Sequence, residues 1–482
     1  MKSKTSSFQI LATRFYQRGQ LTIQILILGF VTVTMLGGFV MWSDTYVRNV
    51  SREKNKSQAF TIAEAGIEYY RWHLAHAPSD FKDGTATSGP YVHPYYDKDN
   101  VRIGEFSLDI TPPATGSTIV AMTSTGRVDA DPTADKVIKV KMGLPSLARF
   151  SVAANADIRF GEGTSVYGQV HSNGGVRFDG TAYNIVTSAK DTYNDPDHSG
   201  SNEMGVHTHI SPVDPQPPTT TPIRTDVFKA GRQFPVPALD FTGITQDLAT
   251  IKAVASTSGR YYAPSGKKGY HLVFKTNDTY DVYKVNTLVS YPGCNSNGQS
   301  GWGTWSIQTE TFLSSSTIPD SGVIFVEDDV WVNGQIDGKR VTVGAGQFPD
   351  NPANRRSIIV NNDLLYTHYD GTDVIGLIAQ ENFTVGLVSE DDLRIDAAVV
   401  AQNGRVGRNY YDKAKCKATT DRSLITTYGM IATNGRYGFA YTDGSGYTDR
   451  VIMYDGYLLY GPPPYFPITA GQYDIISWEE TK

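Results

Sequence analysis

The most pronounced hydrophobic pattern in the chain is an uninterrupted apolar stretch near its N-terminus. Residues 21–42 read LTIQILILGFVTVTMLGGFVMW and contain no charged residue. As an α-helix these 22 residues would be about 33 Å long, enough to cross a bilayer core of about 30 Å. The preceding segment carries Lys2, Lys4, Arg14 and Arg18 and no acidic residue. This positive flank predicts a single-pass membrane anchor with a cytoplasmic N-terminus and an extracytoplasmic remainder.

The helical pattern continues beyond the apolar stretch. No proline occurs between Asp44 and His76, and apolar residues recur there at helical spacing. Because Pro78 should end the helix, we predict one helix over residues 20–77. Its first half is apolar on all sides, whereas its second half has a single apolar stripe that requires a globular partner.

After the helix, the pattern changes to short strands. Residues 78–100 are rich in turn-forming residues and predict a loop, whereas residues 105–110, 119–128 and 136–142 have the apolar content and alternation of strands. A small β unit is therefore predicted over residues 78–148.

From about residue 149 the predicted strands become shorter and more regular. Segments such as 156–160, 165–171 and 175–180 lie 8–10 residues apart and are separated by Gly or Asn-Gly, and the same texture returns between residues 322 and 401. This spacing predicts a mainly β fold with a large right-handed β-helix-like solenoid over residues 149–420. A β-sandwich body is the alternative, since sandwiches also turn every 8–12 residues.

Residues 185–320 interrupt this pattern and are interpreted as an insertion into the body. Their first part is polar and proline-rich, residues 241–256 predict a helix, and residues 270–289 predict a hairpin with its turn at Asn277-Asp278. Residues 421–482 are predicted to be a C-terminal β segment that closes the body.

The net charge bears on the partners of the chain, and the cysteine content bears on its covalent links. The net charge is −6, and because the first 43 residues carry four positive charges and no negative one, the remainder carries −10. An acidic exterior repels phosphate groups, so no nucleic-acid partner is expected. The chain has two cysteines, Cys294 and Cys416. An extracytoplasmic location permits a disulfide between them, and a free pair is the alternative.

Two acidic triplets are the candidates for catalysis: Glu327-Asp328-Asp329 and Glu390-Asp391-Asp392. Polysaccharide-cleaving enzymes use paired carboxylates, and carboxylate oxygens also bind Ca²⁺. Each triplet lies between two predicted strands, where a solvated turn is the simpler interpretation. We therefore predict that the chain is not an enzyme and that it has no cofactor.

Three histidines form a candidate metal site. His207 and His209 would share one face of a strand, with His198 nearby in sequence. Their polar surroundings favour a solvated pair instead, so no metal site is predicted.

Aromatic residues in Gly-, Pro- or polar-rich surroundings are candidates for binding. Such side chains can stack on sugars or anchor a protein partner, and packing over the ends of the solenoid is the alternative. They are Trp302, Trp305, Tyr261, Tyr262, Tyr410, Tyr411 and Tyr465.

The N-terminal segment resembles the type IV pilins and their secretion-system relatives. In that family a basic leader ends in Gly, a prepilin peptidase cuts after it, and the exposed apolar helix packs into a filament of pilin subunits. The matching residues are Gly19, Gln20 as the first mature residue, and Leu21-Thr22-Ile23. The resemblance implies a leader over residues 1–19 and a filament-packing helix that includes Leu21, Gln24 and Phe30. Gln24 stands where the family usually has Glu. In major pilins this Glu pairs with the N-terminus of a subunit, and the same pairing is not expected here.

A second segment resembles the N-terminal helix of PilX-type minor pilins. Residues 58–68 read QAFTIAEAGIE and match the signature AF-x-x-AEAG through Ala59, Phe60, Ala63, Glu64, Ala65 and Gly66. The C-terminal segment, with YD, LL, PPPYFP and SWEE, is similar to that of large bacterial pilus-associated proteins with a β-helical body. In pilins a small antiparallel sheet covers the outer half of the helix, so residues 78–148 are expected to cover Phe60, Ile67 and Leu74.

The resemblance implies a minor pilin-like subunit of a type IV pilus or a type II secretion-like pseudopilus. Such a subunit is held in membrane lipid before assembly and then displays its body at the cell surface, where a carbohydrate or surface ligand is expected. One alternative is a membrane-anchored, carbohydrate-active β-helix enzyme, which would bring carboxylates of the acidic triplets into one groove. The other is a surface adhesin that is never assembled into a filament.

Overall fold

The computed structural model describes residues 17–114, 116–241, 244–295, 298–416, 420–467 and 472–481. Most of the predicted leader, residues 1–16, lies outside the described residues. The helices are α1 (Gln17–His76), α2 (Ile244–Thr257) and α3 (Lys413–Cys416). As predicted, α1 is a single long helix that ends just before Pro78.

The second half of α1 packs on a small antiparallel sheet. Strands β1 (Tyr91–Tyr96), β2 (Arg102–Thr111), β3 (Ile119–Val128) and β4 (Asp131–Gly143) follow one another in this sheet. Their inward-facing side chains bury the apolar stripe of the helix, which confirms the predicted β unit. The expected loop over residues 78–100 nevertheless contains β1. This strand carries Pro94, which weakens the strand pattern and is tolerated because β1 lies at the sheet edge.

The body consists of short strands, which in chain order are β5 (Val152–Ala154), β6 (Ile158–Phe160), β7 (Thr164–Val166), β8 (Val170–Ser172), β9 (Val176–Phe178), β10 (Thr181–Ala182), β11 (Val186–Ser188), β12 (Thr192–Tyr193), β13 (Glu203–Met204), β14 (Val206–His207), β15 (Arg232–Gln233), β16 (Arg260–Tyr262), β17 (Gly269–Phe274), β18 (Thr279–Leu288), β19 (Ile307–Thr317), β20 (Val323–Val326), β21 (Val330–Ile336), β22 (Arg340–Ala345), β23 (Ile358–Ile359), β24 (Leu364–Tyr366), β25 (Val374–Ala379), β26 (Phe383–Val385), β27 (Asp392–Ala401), β28 (Val406–Arg408), β29 (Asp421–Thr433) and β30 (Gly446–Tyr454). The last strand of the chain is β31 (Asp474–Glu480).

The body strands stack in parallel as the coils of a solenoid. One row runs β16–β20–β22–β25–β27–β29–β5–β8–β11, and neighbouring rows repeat the same order of coils. The interior is filled by Val, Ile, Leu and Phe side chains from successive coils. Parallel pairing between coils confirms the predicted solenoid and distinguishes it from a β-sandwich, whose sheets are antiparallel.

The coils do not stack in chain order. Residues 152–236, here called the N-terminal coils, begin against the end of residues 260–454, here called the C-terminal coils. Ile431 of β29 pairs with Val152 of β5, and Val451 of β30 pairs with Ser165 of β7. The chain therefore enters and leaves the body in the middle of the stack.

This stacking corrects the prediction of an insertion over residues 185–320. Strands β11 and β14 extend the N-terminal coils, whereas β16 and β17 begin the C-terminal coils at the opposite end. The connecting segment, with α2, returns along the outside of the stack, where Leu248 and Ile251 pack on Phe325 of β20. Their apolar contact with the outer sheet face explains why a helical pattern occurs between strands.

The C-terminal segment also differs from the expectation that it closes the body. Strands β29 and β30 belong to the solenoid, but β31 pairs antiparallel with β4 and completes the small sheet. Trp478 of β31 places its ring against Phe60 of α1, with centroids 5.7 Å apart. The residues of β31 stay exposed, and the pairing with β4 and the contact of Trp478 with Phe60 hold the strand at the edge of the small sheet.

Two chain connections join the small sheet to the body, and they run side by side. The backbone N–H of Ser146, after β4, donates to the carbonyl of Leu459, after β30, at 3.1 Å. The Ser146 hydroxyl donates to the carbonyl of Leu458 at 2.8 Å. Arg340 of β22 joins the same region by donating to the carbonyls of Gly116 at 2.8 Å and Gly461 at 2.6 Å.

Candidate functional site

The first candidate site is the apolar half of α1. Its side chains have no cover within the described chain: Leu21 is 61% exposed and Phe30 is 71% exposed. Gln24 is exposed on the same segment. Gly19 and Gln20 lie at the start of α1, and the side chain of Gln20 is outside the described residues. Among the described residues, α1 is the one helix long and apolar enough to cross a membrane.

Hydroxyl groups within this half of α1 are satisfied by the helix itself. Thr32 donates to the carbonyl of Leu28 at 2.7 Å, and Thr34 donates to the carbonyl of Phe30 at 2.9 Å. An apolar medium therefore meets few unpaired groups on this surface, which suits lipid or a neighbouring helix.

The residues of the AEAG signature have a packing role in the structure. Ala59 and Ala63 are fully buried against the small sheet. The Ser124 hydroxyl of β3 donates to the carbonyl of Ala63 at 2.8 Å. A Cβ on Gly66 would lie 2.5 Å from the Ser124 Oγ, so only glycine permits this approach without movement.

The other signature residues face outward or sideways. Glu64 is exposed, Ala65 is half-buried, and Phe60 is half-buried at the edge of the contact. Ile67 and Leu74 are buried beneath the sheet as expected, whereas the sheet covers Phe60 only in part. The small residues set the distance between helix and sheet, and the exposed Glu64 is available to other molecules.

Because Phe60 is only half-buried, its replacement has a moderate effect. Phe60→Asp is expected to lower the free energy of unfolding by about 2 kcal/mol, since it removes the contact with Trp478 and places a charge at an apolar edge. Phe60→Leu keeps an apolar side chain and should cost less than about 1.5 kcal/mol. Thermal unfolding of the detergent-extracted protein measures both, and equal losses for the two variants would contradict the assignment.

The first acidic triplet is engaged in local bonds. Burial raises the pKa of Glu327, but hydrogen bonds from Lys252 and Tyr261 outweigh it and hold the pKa below its usual value. Burial raises the pKa of Asp329 to about 6. The remaining bonds lie within neighbouring coils: Asp328 accepts from the backbone N–H of Ser265 at 2.9 Å, and Asp329 accepts from the backbone N–H of Ser357 at 2.8 Å.

The second acidic triplet lies at the surface and has its own partners. Glu390 accepts from the side-chain amide of Asn362 at 3.0 Å, and Asp391 accepts from the Ser423 hydroxyl at 2.6 Å. Asp392 is exposed at the start of β27. A cavity of about 250 Å³ includes Glu390 in its lining but none of the first triplet.

The structure joins Cys294 and Cys416 in a disulfide and buries Cys416 completely. The bond ties the loop after β18 to α3. Next to it, the Trp302 indole N–H donates to the carbonyl of Tyr410 at 3.0 Å, and Tyr411 packs in the same small core. The loop therefore links C-terminal coils that are distant in sequence.

Most of the aromatic candidates pack within the body instead of lying free on its surface. Tyr411 is buried, and Trp302, Trp305, Tyr262 and Tyr410 are half-buried. Tyr261 and Tyr465 are the more exposed members, at 38% and 50%. This packing could not be predicted from the polar neighbours in sequence, because the packing partners come from other coils.

The histidines lie in a cluster rather than in solvent, which corrects the prediction of a solvated pair. His207 is fully buried in β14, and His209 follows it beside Glu203 of β13. Asp195 is 3% exposed and lies 3.6 Å from the Nε2 of His207, as measured from its Oδ2. His198 reaches the same cluster, with its Nδ1 3.4 Å from the Oε1 of Glu203. Asp195 and Glu203 lie within four residues of a histidine in sequence, but they were missed because the polar segment was interpreted as a solvated loop.

Burial and neighbouring charges shift the pKa values of two groups in the cluster. Burial lowers the pKa of His209, and the nearby charges of Arg177 and His207 lower it further. Burial raises the pKa of Asp195, but interactions with His207, the Asp197 backbone and Arg177 outweigh it, so the net pKa lies below the usual value.

A polar cavity of about 760 Å³ lies where the N-terminal and C-terminal coils meet. Arginines from both parts line it: Arg159, Arg177, Arg405, Arg436 and Arg450. Asp179 lies 3.4 Å from Arg159, and Asp197 pairs with Arg436, so much of this positive charge is neutralised within the protein. No sequence pattern indicates this cavity, because its walls come from segments that meet only through the order of the coils.

Comparisons with known proteins give little guidance. No protein-family model matches the chain, and no curated protein matches it. Among solved structures, the chain is similar to the crystal structure of the competence-associated pilin ComZ from Thermus thermophilus, with 13% sequence identity over 89% of this chain and 98% of that chain, and a TM-score of 0.31. A similarity at this level supports no inference about activity or partners, which must come from this chain's own residues.

Proposed function

We propose that the chain is a non-enzymatic, pilin-like subunit that is anchored in the membrane and then assembled into a type IV pilus or a secretion pseudopilus. The observation that carries this proposal is the contrast between the two halves of α1. The second half is buried by the small sheet of its own chain, whereas the first half exposes apolar side chains on all sides. Such a surface requires lipid or the helices of other subunits.

The role of Gln24 follows from its place on this surface. An amide side chain in an apolar environment is stabilised by a hydrogen bond to a neighbouring helix. We assign it to contacts with other pilin subunits after assembly, in place of the Glu that the family usually has there.

The shape of the body supports a place at the tip of the filament. The stack of coils extends on both sides of the point where the chain enters it. A body of this size would obstruct the repeat of a thin filament, so we propose that one subunit caps the tip as initiator or adhesive surface. The polar cavity and the exposed Tyr261 and Tyr465 are the surfaces that a carbohydrate or surface ligand would meet, and a glycan array would test this.

Processing by a prepilin peptidase after Gly19 is part of the proposal. Gly19→Val should block cleavage, because that peptidase requires the small residue at the cut. Gly29→Val is the matched control, since Gly29 lies in open space on the same helix and away from the junction. In cells with an active prepilin peptidase, Gly19→Val should migrate as the longer precursor while the control migrates as the mature protein.

The same experiment separates the alternatives. Equal mobility of Gly19→Val and the control would show that no processing occurs and would favour a surface adhesin that stays in the membrane. An anchored carbohydrate-active enzyme would require carboxylates of the two acidic triplets to act together. The local partners of these carboxylates favour a structural role, and loss of polysaccharide cleavage on Asp329→Asn would favour the enzyme.

A further inference from the structure

We propose that the histidines and carboxylates between residues 195 and 209 form a binding site for one divalent first-row transition-metal ion. Two overlapping sets of ligand atoms meet there: Asp195, His207 and His209, and His198, Glu203 and His209. Within each set the atoms lie within 4.8 Å of one another. The proposal does not rest on assembly into a filament.

The fold brings these residues together by two pairings. Strands β12 and β13 pair antiparallel, with Tyr193 opposite Glu203, and thereby fold the polar segment between them back on itself. Strand β14 then pairs in parallel with β9, with His207 opposite Arg177. Asp195 follows β12 and His209 follows β14, and both residues thus come close to His207.

The separations suit a shared ion. Two ligand atoms bound about 2.1 Å from a tetrahedral metal ion are separated by roughly 3.4 Å. Here Asp195 Oδ2 and His207 Nε2 are 3.6 Å apart, and His198 Nδ1 and Glu203 Oε1 are 3.4 Å apart. Glu203 Oε1 and His209 Nε2 are 3.9 Å apart. Within either set, small side-chain rotations would bring the three ligand atoms around one ion.

The burial of unpaired nitrogen atoms is the independent observation that points to a ligand. His207 is completely buried, yet its Nε2 has no partner within hydrogen-bond distance among the described residues. The Nε2 of His209 and the Nδ1 of His198 also form no hydrogen bond among the described residues, although Glu203 Oε1 lies 3.9 Å and 3.4 Å from them. Because buried polar atoms are almost always paired, these nitrogens in two ligand sets that share His209 indicate an acceptor of electron pairs within the cluster.

The charge balance also favours a cation. Asp195 and Glu203 are 3% and 2% exposed, and Asp179 lies next to them. Arg177 and Arg159 contact this group: Arg177 Nε donates to Asp179 at 2.7 Å, Arg177 Nη1 lies 3.4 Å from Asp195, and Arg159 lies 3.4 Å from Asp179. Two guanidiniums face three carboxylates, so an excess of negative charge remains that a cation would offset.

Surrounding hydrogen bonds hold the ligands in position. The backbone N–H of His209 donates to Asp179 at 2.9 Å, and the amide of Gln216 donates to Glu203 at 3.0 Å. The backbone N–H of Thr208 donates to Asp214 at 3.0 Å. Such outer contacts orient metal ligands and distinguish a built site from a chance cluster.

The donor set selects the class of metal. Imidazole nitrogens with carboxylate oxygens suit Zn²⁺, Co²⁺, Ni²⁺ or Fe²⁺, whereas Ca²⁺ and Mg²⁺ prefer oxygen ligands alone. Since His209 belongs to both sets, we assign one ion per chain. The ion would tie the polar segment after β12 to the outer end of the N-terminal coils.

The test uses the full chain in detergent without a polyhistidine tag, stripped with EDTA and reloaded with Zn²⁺ alone. We expect wild type to bind about one equivalent of Zn²⁺, and His209→Ala to lose this binding. His198→Ala, at the more exposed edge, should weaken the Zn²⁺ affinity roughly ten- to hundredfold and protects the test against misfolding of His209→Ala. Loading with Co²⁺ should give visible absorption bands that the variants lack.

His368→Ala is the matched control, because His368 is exposed and pairs with Asp337 elsewhere in the body. It should bind Zn²⁺ as wild type does. The proposal is overturned if wild type binds no Zn²⁺ after reloading, or if His209→Ala and His198→Ala bind it with the stoichiometry and affinity of His368→Ala.

Discussion

Replacing Cys294 and Cys416 together by serine is expected to lower the free energy of unfolding by about 4 kcal/mol. The disulfide closes a loop with a sequence separation of 122 residues, which removes much of the conformational freedom of the unfolded chain. The bond also anchors the loop that carries Trp302 against the buried Tyr411. Denaturant unfolding of the detergent-extracted protein measures the loss.

Reduction provides the control for this prediction. Wild type treated with a thiol reductant should unfold at the same denaturant concentration as the double variant, whereas the double variant should not respond to reductant. Identical midpoints for oxidised wild type and the double variant would contradict a stabilising role of the bond.

Gly126→Val is expected to lower the free energy of unfolding of the helix–sheet unit by about 3 kcal/mol or more. A Cβ at this position would lie 2.0 Å from the carbonyl oxygen of Ala59 and 2.5 Å from the backbone nitrogen of Ala63. Both atoms belong to the backbone of α1, so no side-chain rotation relieves the clash. Strand β3 must move away from the helix, and the bond from Ser124 to Ala63 is lost with it.

Thr125→Ala is the matched control for this prediction, because Thr125 is the preceding residue of β3 and points to the other face of the sheet. It should change the free energy of unfolding by less than about 1 kcal/mol. Thermal unfolding, followed together with protease sensitivity of the small sheet, measures both variants. A Gly126→Val protein as stable as Thr125→Ala would show that helix and sheet are not in this close contact.

Local patterns predicted the elements of this fold well. The apolar run and the stripe of α1, the hairpin with its turn at Asn277-Asp278, and the short regular strands are all properties of neighbouring residues. Periodicity reports such local structure, because it reflects which face of an element is buried.

The order of the coils could not be predicted in the same way. Contacts such as Ile431 with Val152, or β31 with β4, depend on which apolar edges meet across hundreds of residues. Every solenoid edge offers the same backbone groups, so the sequence pattern of one strand does not specify its neighbour. The cavity between the two sets of coils therefore could not be predicted from the sequence.

The candidate sites show the same division. Ala59, Ala63 and Gly66 were recognised as a motif, but their role as spacers under β3 needed the structure. The histidines were noticed through their spacing, yet their burial depends on Asp195 and Glu203, which the β12–β13 pairing brings in. The polar composition of this segment predicted that the histidines are solvated, whereas the fold buries them fully or in part.

The paired connections at Ser146 and Leu459 have a mechanical consequence. The chain passes from the small sheet into the solenoid after β4, whereas β31 at the far end of the chain is held in the sheet by its pairing with β4. A pull on the helix therefore reaches the solenoid through the covalent connection after β4 and, in parallel, through the β31–β4 hydrogen bonds. If a protease cuts the connection after β4, the β31–β4 pairing still links the two parts of the protein.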